Sequence, residues 1–418
     1  MARLKGTAVT ARDKSISHRG IMFGSLAEGK TTIRNFLESA DCLATIDCFR
    51  NLGVKIECDG DNITVYGVGM KGLKKPNCVL NAENSGTTTR LMTGVLAGCD
   101  FSSTITGDES LKKRPMKRIT EPLSLMGADI TSNNGCCPLK INGGNLKGIK
   151  YTLPVASAQL KSALILAGLN AEGETVILEN VKSRDHTERM LKAMGADIEV
   201  QGNRITVRKT EKLNPVDLTV PCDISSAAFF MVGASILKGS DIILKDVGLN
   251  ETRTGIIDVL KNMGADLEII NQETVCGEET GDIHIRYSPL KGTTVSGNII
   301  PRLIDEIPII AVAAAAAEGK TVIKDAHELR VKESDRIKTI IEMLDNAGVR
   351  TEELEDGLII YGGAQIKGAT YFAHGDHRIA MSAKILSLLT DEPSVITDYE
   401  CVNVSFPNFA KILEELLA

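Results

Sequence analysis

The chain has 418 residues, with 48 Lys and Arg against 54 Asp and Glu, a net charge of −6, 43% hydrophobic residues and 24% charged ones. That length supports two or three domains with substantial cores, and the composition is that of an ordinary globular protein. The acidic balance argues against a general nucleic-acid or membrane-surface binder but leaves room for a local basic site. The longest apolar run, residues 307–317, is too short to span a bilayer and predicts a buried Ala-rich helix; no signal peptide is expected at the N-terminus.

Read in chain order, one phrase recurs: a helix-like apolar run, a turn around Gly, then a strand-like run. It stands as AEGKTTI at 27–33, AGCDFSSTI at 97–105, AEGETVI at 171–177, LKGSDII at 237–243, AEGKTVI at 317–323 and LTDEPSVI at 389–396. The equivalent positions Gly29, Gly98, Gly173, Gly239, Gly319 and Asp391 lie 69, 75, 66, 80 and 72 residues apart. Six copies at this spacing identify a repeat architecture. A second phrase interleaves with it, a helix end followed by Gly and a strand: LGVKIE at 52–57, MGADI at 126–130, MGADIEV at 194–200, MGADLEII at 263–270 and AGVRTEE at 347–353. Gly at such turns suits a left-handed residue just past a helix end. Alternating helices and strands, with short strands such as 63–65 and 205–207 and a helical tail, place the chain in the mixed α/β class.

The ten cysteines contain no Cys-x-x-Cys, and adjacent Cys136-Cys137 is poor disulfide geometry, so they read as small buried hydrophobes in a reducing compartment. His374-Gly-Asp-His377 lacks further ligands at suitable spacing, so no metal is expected.

What opens each apolar helix is more telling. The six openings are DKSISHR (13–19), NSGTTTR (84–90), SAQLKS (157–162), CDISS (222–226), IDE (304–306) and GDHR (375–378). Each holds a Ser, Asp or Asn able to cap a helix, which any helix requires. Lys14, Arg19, Arg90, Gln159, Lys161 and Arg378 exceed that need, because a cation in the first turns opposes the helix dipole unless an anion is shared with the backbone N–H groups. Two further basic runs, LKKRPMKR (111–118) and LRVKESDR (329–336), extend the pattern. Together they imply a small-molecule site for several anions, with Arg gripping carboxylate or phosphate and Lys supplying a point charge. GSLAEGKT (24–31) matches GxxxxGK[ST] and GVGMKG (67–72) matches GxGxxG. The first runs from an apolar helix-like segment into a strand, the reverse of a phosphate loop, and the second leads into a Lys- and Pro-containing loop rather than a helix, which argues against a nucleotide site. Asp305 and Glu333, each beside basic residues, are candidates for proton transfer or for buried ion pairs.

These motifs, with KRPM (113–116), ASAQLKSAL (156–164), SRDHTE (183–188), NETRTG (250–255) and PRLIDEIP (301–308), resemble the 5-enolpyruvylshikimate-3-phosphate synthase family from about residue 5 to the end. The resemblance is to the bacterial subgroup with the SRDHTE and PRLIDE forms. It implies a two-lobed enolpyruvyl transferase fold, an inside-out α/β barrel of six βαβαββ-type repeats, three per lobe. Lobe 1 would span 12–220 and lobe 2 would span 1–11 plus 221–418, with crossovers near 10–14 and 219–223. In the family the lobes close over substrate, with the helix N-termini facing the cleft. The implied reaction transfers the enolpyruvyl group of phosphoenolpyruvate to the 5-hydroxyl of shikimate 3-phosphate, by addition and elimination and without a cofactor.

The resemblance also implies site roles. Lys14, Ser15, Arg19, Ser157, Gln159, Arg184, Asp305 and Lys332 would bind shikimate 3-phosphate. Lys14, Gly86, Arg114, Gln159, Arg336 and Arg378 would bind phosphoenolpyruvate. Asp305, Glu333 and Lys14 would be catalytic, with Asp305 accepting the 5-hydroxyl proton and Glu333 protonating the methylene carbon. Relatives often carry Pro-Gly before Asp13-Lys14, a second Ser in place of Ala158 and, in one subgroup, Lys in place of Val404. Gly86 rather than Ala would leave room for glyphosate. The related transferase acting on UDP-N-acetylglucosamine has a Cys-bearing loop, and residues 107–117 contain no Cys. A noncatalytic anion-binding protein would not need the acid at Glu333. A cytoplasmic monomer is expected, with no nucleic-acid or membrane partner.

Overall fold

In a computed structural model the described residues are 2–418, without the side chain of Val404, so the Val404 difference lies outside them. The chain divides into two compact units. The first comprises Arg12–Val220 and Thr274–Glu278; the second comprises Met1–Ala11, Pro221–Glu273 and Glu279–Ala418. Each has its own hydrophobic core. The short excursion of residues 274–278 into the first unit, the tip of the hairpin between strands Asp266–Val275 and Glu278–Arg286, has no counterpart in the sequence reading.

Among the described residues there are twelve α-helices. The first unit holds α1 (Lys14–Leu26), α2 (Ala40–Asn51), α3 (Gly86–Ala97), α4 (Lys117–Leu125), α5 (Ala158–Gly168) and α6 (His186–Ala193). The second holds α7 (Ile224–Ile236), α8 (Gly255–Asn262), α9 (Ile307–Ala316), α10 (Arg336–Asn346), α11 (His377–Ser387) and α12 (Phe409–Leu416). The odd-numbered helices are the six apolar runs of the repeat. They are buried almost all round, polar members included; every residue of α7 is buried, and α1 is buried from Ile16 onward, with Ser17, His18 and Arg19 among them. The even-numbered helices keep a polar side, as in α8, where Ile256, Ile257, Val259 and Leu260 face the core.

Each repeat contributes a small sheet, five of four strands and one of two among the described residues. The sheet of the first repeat shows the common order. Strand Asp217–Thr219 runs parallel to Glu28–Arg34, which pairs antiparallel with Asn62–Val68, which pairs antiparallel with Lys55–Asp59. In the second unit, strand Lys5–Ala8 lies parallel to Asp241–Gly248 in the same way. The first sheet of each unit thus takes an edge strand from a distant part of the chain.

The glycines of the second phrase act as read: Gly195, with φ +90°, follows the α6 C-cap Met194. Those of the first phrase do not all make turns. Leu26 ends α1, Ala27 is already extended, and Gly29 lies inside strand Glu28–Arg34. The helix passes straight into the strand, and no left-handed cap is needed. The openings also hold with one exception. Asp13, Ser85, Ser157, Asp223 and Asp376 each accept a backbone N–H in the first turn of their helix. At the fifth opening Glu306 occupies the cap position without a side-chain cap bond. Pro308 removes one N–H from that turn, so one fewer donor needs satisfying.

Close approach of α3 and α5 sets the middle of the first unit. A Cβ on Gly94 would lie 2.3 Å from the carbonyl oxygen of Ala163, which is backbone and cannot swing away. Gly94→Ala is expected to lower the unfolding free energy by about 2 kcal/mol through overpacking. A urea midpoint equal to that of the parent protein would show that the two helices can separate at no cost.

Candidate active site

In the first unit the helix starts bring cations together with neutral partners. Arg19, on α1, is 3% exposed. Its Nε donates to Thr187 Oγ1 at 2.8 Å, Nη2 to Ser162 Oγ at 3.0 Å and Nη1 to the Ser15 carbonyl at 3.0 Å. Burial pushes this guanidinium down to about 10, against the pull of Glu188, Asp13 and Glu278; Arg184 lies near enough to lower it further. Arg184 itself is half-buried, in the loop between strand Thr175–Glu179 and α6. Lys14 is the exception, since its ammonium pairs with Asp41 in the first turn of α2.

Around Gly86 stands a second basic group. A Cβ there would come within 3.3 Å of Nη1 on both Arg90 and Arg114. Arg114 donates to Asn84 Oδ1, and Arg90 donates to Gln159 Oε1 at 2.5 Å. Burial, followed by the charges of Arg118 and Arg114, lowers Arg90 to about 10. The Arg90 Nε is buried with no hydrogen-bond partner among the described residues. Gln159, expected on substrate, spends its amide bridging Arg90 and Thr87. Ser157 uses its hydroxyl oxygen as the α5 cap, accepting from Leu160 N at 3.4 Å, and keeps its own proton to donate.

Lys161 corrects the sequence reading. It was grouped with cations awaiting an anion, yet its ammonium is fully buried against Glu179 at 3.0 Å and Glu188 at 2.8 Å. It is already neutralised by the protein.

The second unit has the opposite character, with charges in balance. Arg336 opens α10 at 1% exposure and touches three carboxylates: Asp376 at 2.8 Å, Glu333 at 2.6 Å and Asp305 at 3.4 Å. Lys332 lies 3.5 Å from Asp305, and Arg378 donates to the Asp305 carbonyl at 3.2 Å. Burial alone would lower Arg336, but Asp376, Glu333 and Asp305 outweigh it and hold the guanidinium above its ordinary value. Burial would likewise raise Glu333 and Asp376, and in both Arg336 prevails and keeps the carboxyl below its usual range. The sequence identified Asp376 only as a cap; it is also the fully buried counter-charge of Arg336. Nothing in the GDHR run signals this pairing, because Arg336 lies 40 positions away.

Asp376→Asn should lower stability at pH 7 by about 3 kcal/mol, because it leaves Arg336 buried with weaker compensation. A depressed carboxyl contributes fully above its unfolded value, near pH 4, and that contribution disappears as pH falls through the lower folded value. The variant should therefore lose less than the parent between pH 7 and pH 3. Urea midpoints at both pH values check this; parallel losses would remove Asp376 from the account.

Comparison with known proteins identifies the family. The family profile described as EPSP synthase (3-phosphoshikimate 1-carboxyvinyltransferase) matches residues 1–413. A 3-phosphoshikimate 1-carboxyvinyltransferase of Bacillus velezensis is 54% identical over 99% of this chain and 97% of its own length. One from Oceanobacillus iheyensis is 51% identical over the same shares. The solved EPSP synthase of Acinetobacter baumannii superposes with a TM-score of 0.93 at 48% identity, covering 99% of this chain and 96% of that one. The chain belongs to the EPSP synthase family, enzymes that transfer the enolpyruvyl group of phosphoenolpyruvate to shikimate 3-phosphate.

Proposed function

We propose that the two clusters divide the work of this reaction. The cations of the first unit, Arg19, Arg184 and Lys14, with the hydroxyls of Ser15 and Ser157 and the amide of Gln159, take shikimate 3-phosphate. Arg114 and Lys14, beside the side-chain-free Gly86, take phosphoenolpyruvate together with Gln159, Arg336 and Arg378. Asp305, with Lys332 beside it, holds the shikimate hydroxyls and accepts the 5-hydroxyl proton as that oxygen attacks C2 of phosphoenolpyruvate. Glu333 delivers a proton to the methylene carbon, giving a tetrahedral intermediate. Loss of phosphate, with return of a methyl proton to the carboxylate, restores the vinyl group.

The observation that carries the reading is Arg336, held among Asp376, Glu333 and Asp305. While it holds Glu333, it keeps that carboxyl below its usual range against the effect of burial. An incoming phosphoenolpyruvate competes for the same guanidinium and loosens the pair, so the proton affinity of Glu333 rises when its substrate is present. Alignment of the two anionic reactants and stabilisation of developing charge supply the rest of the rate.

Phosphate release from phosphoenolpyruvate should require shikimate 3-phosphate and should not occur with UDP-N-acetylglucosamine; the reverse preference would overturn the substrate assignment. Glu333→Gln should reduce kcat by about a hundredfold or more with KM values within about threefold. Equal losses in kcat and in binding of both substrates would make Glu333 structural. Gly86→Ala should push Arg90 and Arg114 aside by a few tenths of an ångström, the 3.3 Å clearances being tight. It should raise the glyphosate inhibition constant more than the KM for phosphoenolpyruvate, and an unchanged constant would remove Gly86 from that pocket.

A cytoplasmic setting follows from the metabolites used, and among the described residues no helix is long and apolar enough to cross a membrane. A monomer is supported by the edge strands Lys5–Ala8 and Asp217–Thr219, which complete their sheets from within the chain.

A further inference from the structure

The most deeply buried cation of the first unit takes no part in the reaction described. Lys161 lies in the first turn of α5 with no exposed surface. Its ammonium has three donors and three partners: Glu179 Oε2 at 3.0 Å, Glu188 Oε1 at 2.8 Å and the Ser183 carbonyl at 3.2 Å. A buried ion pair is a poor source of net stability compared with well-packed apolar side chains, so its use must be sought in what it holds still. What it holds is the turn before α6. The other oxygen of Glu179, Oε1, accepts from Ser183 N at 3.0 Å and from Ser183 Oγ at 2.6 Å. All three polar groups of Ser183 are thereby fixed by Lys161 and its partner.

The next residue is Arg184. One position along each helix, Ser162 Oγ meets Thr187 Oγ1 at 2.6 Å, and both hydroxyls accept from Arg19. Lys161 and Ser162 on α5 thus face Glu188 and Thr187 on α6 as two consecutive rungs, one ionic and one of hydroxyls. The ionic rung fixes the loop that carries Arg184, and the hydroxyl rung fixes Arg19.

We propose that Lys161 and Glu179 are positioning residues for shikimate 3-phosphate, with Glu188 as a second counter-charge of Lys161, setting Arg184 in register with Arg19 for the phosphate. The proposal rests on the assignment of those two arginines to that phosphate. The two glutamates are not equivalent. Glu179 uses both oxygens, as acceptors from a cation on one side and from Ser183 on the other. A Gln there must turn its NH2 toward one of these donors. Glu188 Oε2 is buried with no hydrogen-bond partner among the described residues, and burial raises this carboxyl despite the nearby Lys161. A Gln at 188 keeps one carbonyl oxygen for Lys161 and loses little.

The test is steady-state kinetics, with each substrate varied in turn, on Lys161→Met, Glu179→Gln, Glu188→Gln, Arg184→Ala and the double variant of Lys161→Met with Arg184→Ala. Thermal melting of each variant reports folding. Arg184→Ala should raise the KM for shikimate 3-phosphate about tenfold. Lys161→Met and Glu179→Gln should do the same while kcat and the KM for phosphoenolpyruvate stay within about threefold, and Glu188→Gln should stay within about twofold. The double variant should be no worse than Arg184→Ala alone, since both act on one guanidinium. Should Lys161→Met fail to fold, the near-isosteric Glu179→Gln carries the comparison. A folded Glu179→Gln with unaltered KM for shikimate 3-phosphate, or effects that multiply in the double variant, would overturn the proposal while leaving the arginine assignment intact. An Arg184→Ala enzyme with unaltered KM would instead overturn that assignment, and the positioning role with it.

Discussion

A cation near the start of a buried helix is in the wrong place electrostatically, and much of this site follows from that. The helix offers its positive end there, and burial removes the water that would screen it. Arg19 and Arg90 accept both penalties. Among the described residues their hydrogen-bond partners are hydroxyls, a carbonyl and an amide, with no carboxylate. Both guanidiniums are pushed down to about 10, mainly by burial. Among the described residues Glu188, Asp13 and Glu278 act on Arg19 only through their charge, whereas Lys161 has two carboxylates in direct contact. An anion reaching these guanidiniums would gain a large electrostatic return.

The second unit solves a different problem. Proton transfer requires carboxylates whose affinity for protons can change during the reaction, and a shared guanidinium provides the means. Arg336 is fixed by Asp376, which is fully buried, while Glu333 is half exposed on its other side. The inner pair gives Arg336 its position; the outer pair can be exchanged for a substrate anion. The Arg336 Nε faces Asp376, Nη1 faces Asp305, and Nη2 is shared between Glu333 and Asp376.

How far this was legible in the sequence depends on the range of the forces involved. The repeat, the caps at Asp13, Ser85, Ser157, Asp223 and Asp376, and the left-handed Gly195 all act over a few residues, and each can be read locally. Lys161 could not be. Its partners stand 18 and 27 positions away, on a strand and on another helix, and nothing at 157–162 distinguishes a neutralised lysine from one awaiting an anion. Gly29 misled for the opposite reason: a glycine after an apolar run looks like a cap, but Ala27 had already left the helix in an extended conformation. Glu306 shows the same limit, since its carboxylate serves Ser225 rather than the helix it precedes.

The segment Ser183–Glu188 shows how a motif becomes intelligible only when its partners are known. Ser183 is bound to Glu179, Asp185 to Arg189 at 2.9 Å, His186 to Glu278 at 2.8 Å, Thr187 to Arg19 and Glu188 to Lys161. Those partners come from a strand, from α1, α5 and α6, and from the 274–278 excursion of the chain. Five of six neighbouring side chains therefore act on the frame, each from a different direction, and Arg184 stands among them on a backbone that has little freedom left. A flexible guanidinium on a loop would lose conformational entropy each time it gripped a phosphate. Here most of that ordering is done by folding, and the excursion at 274–278 contributes to it through Glu278 on His186.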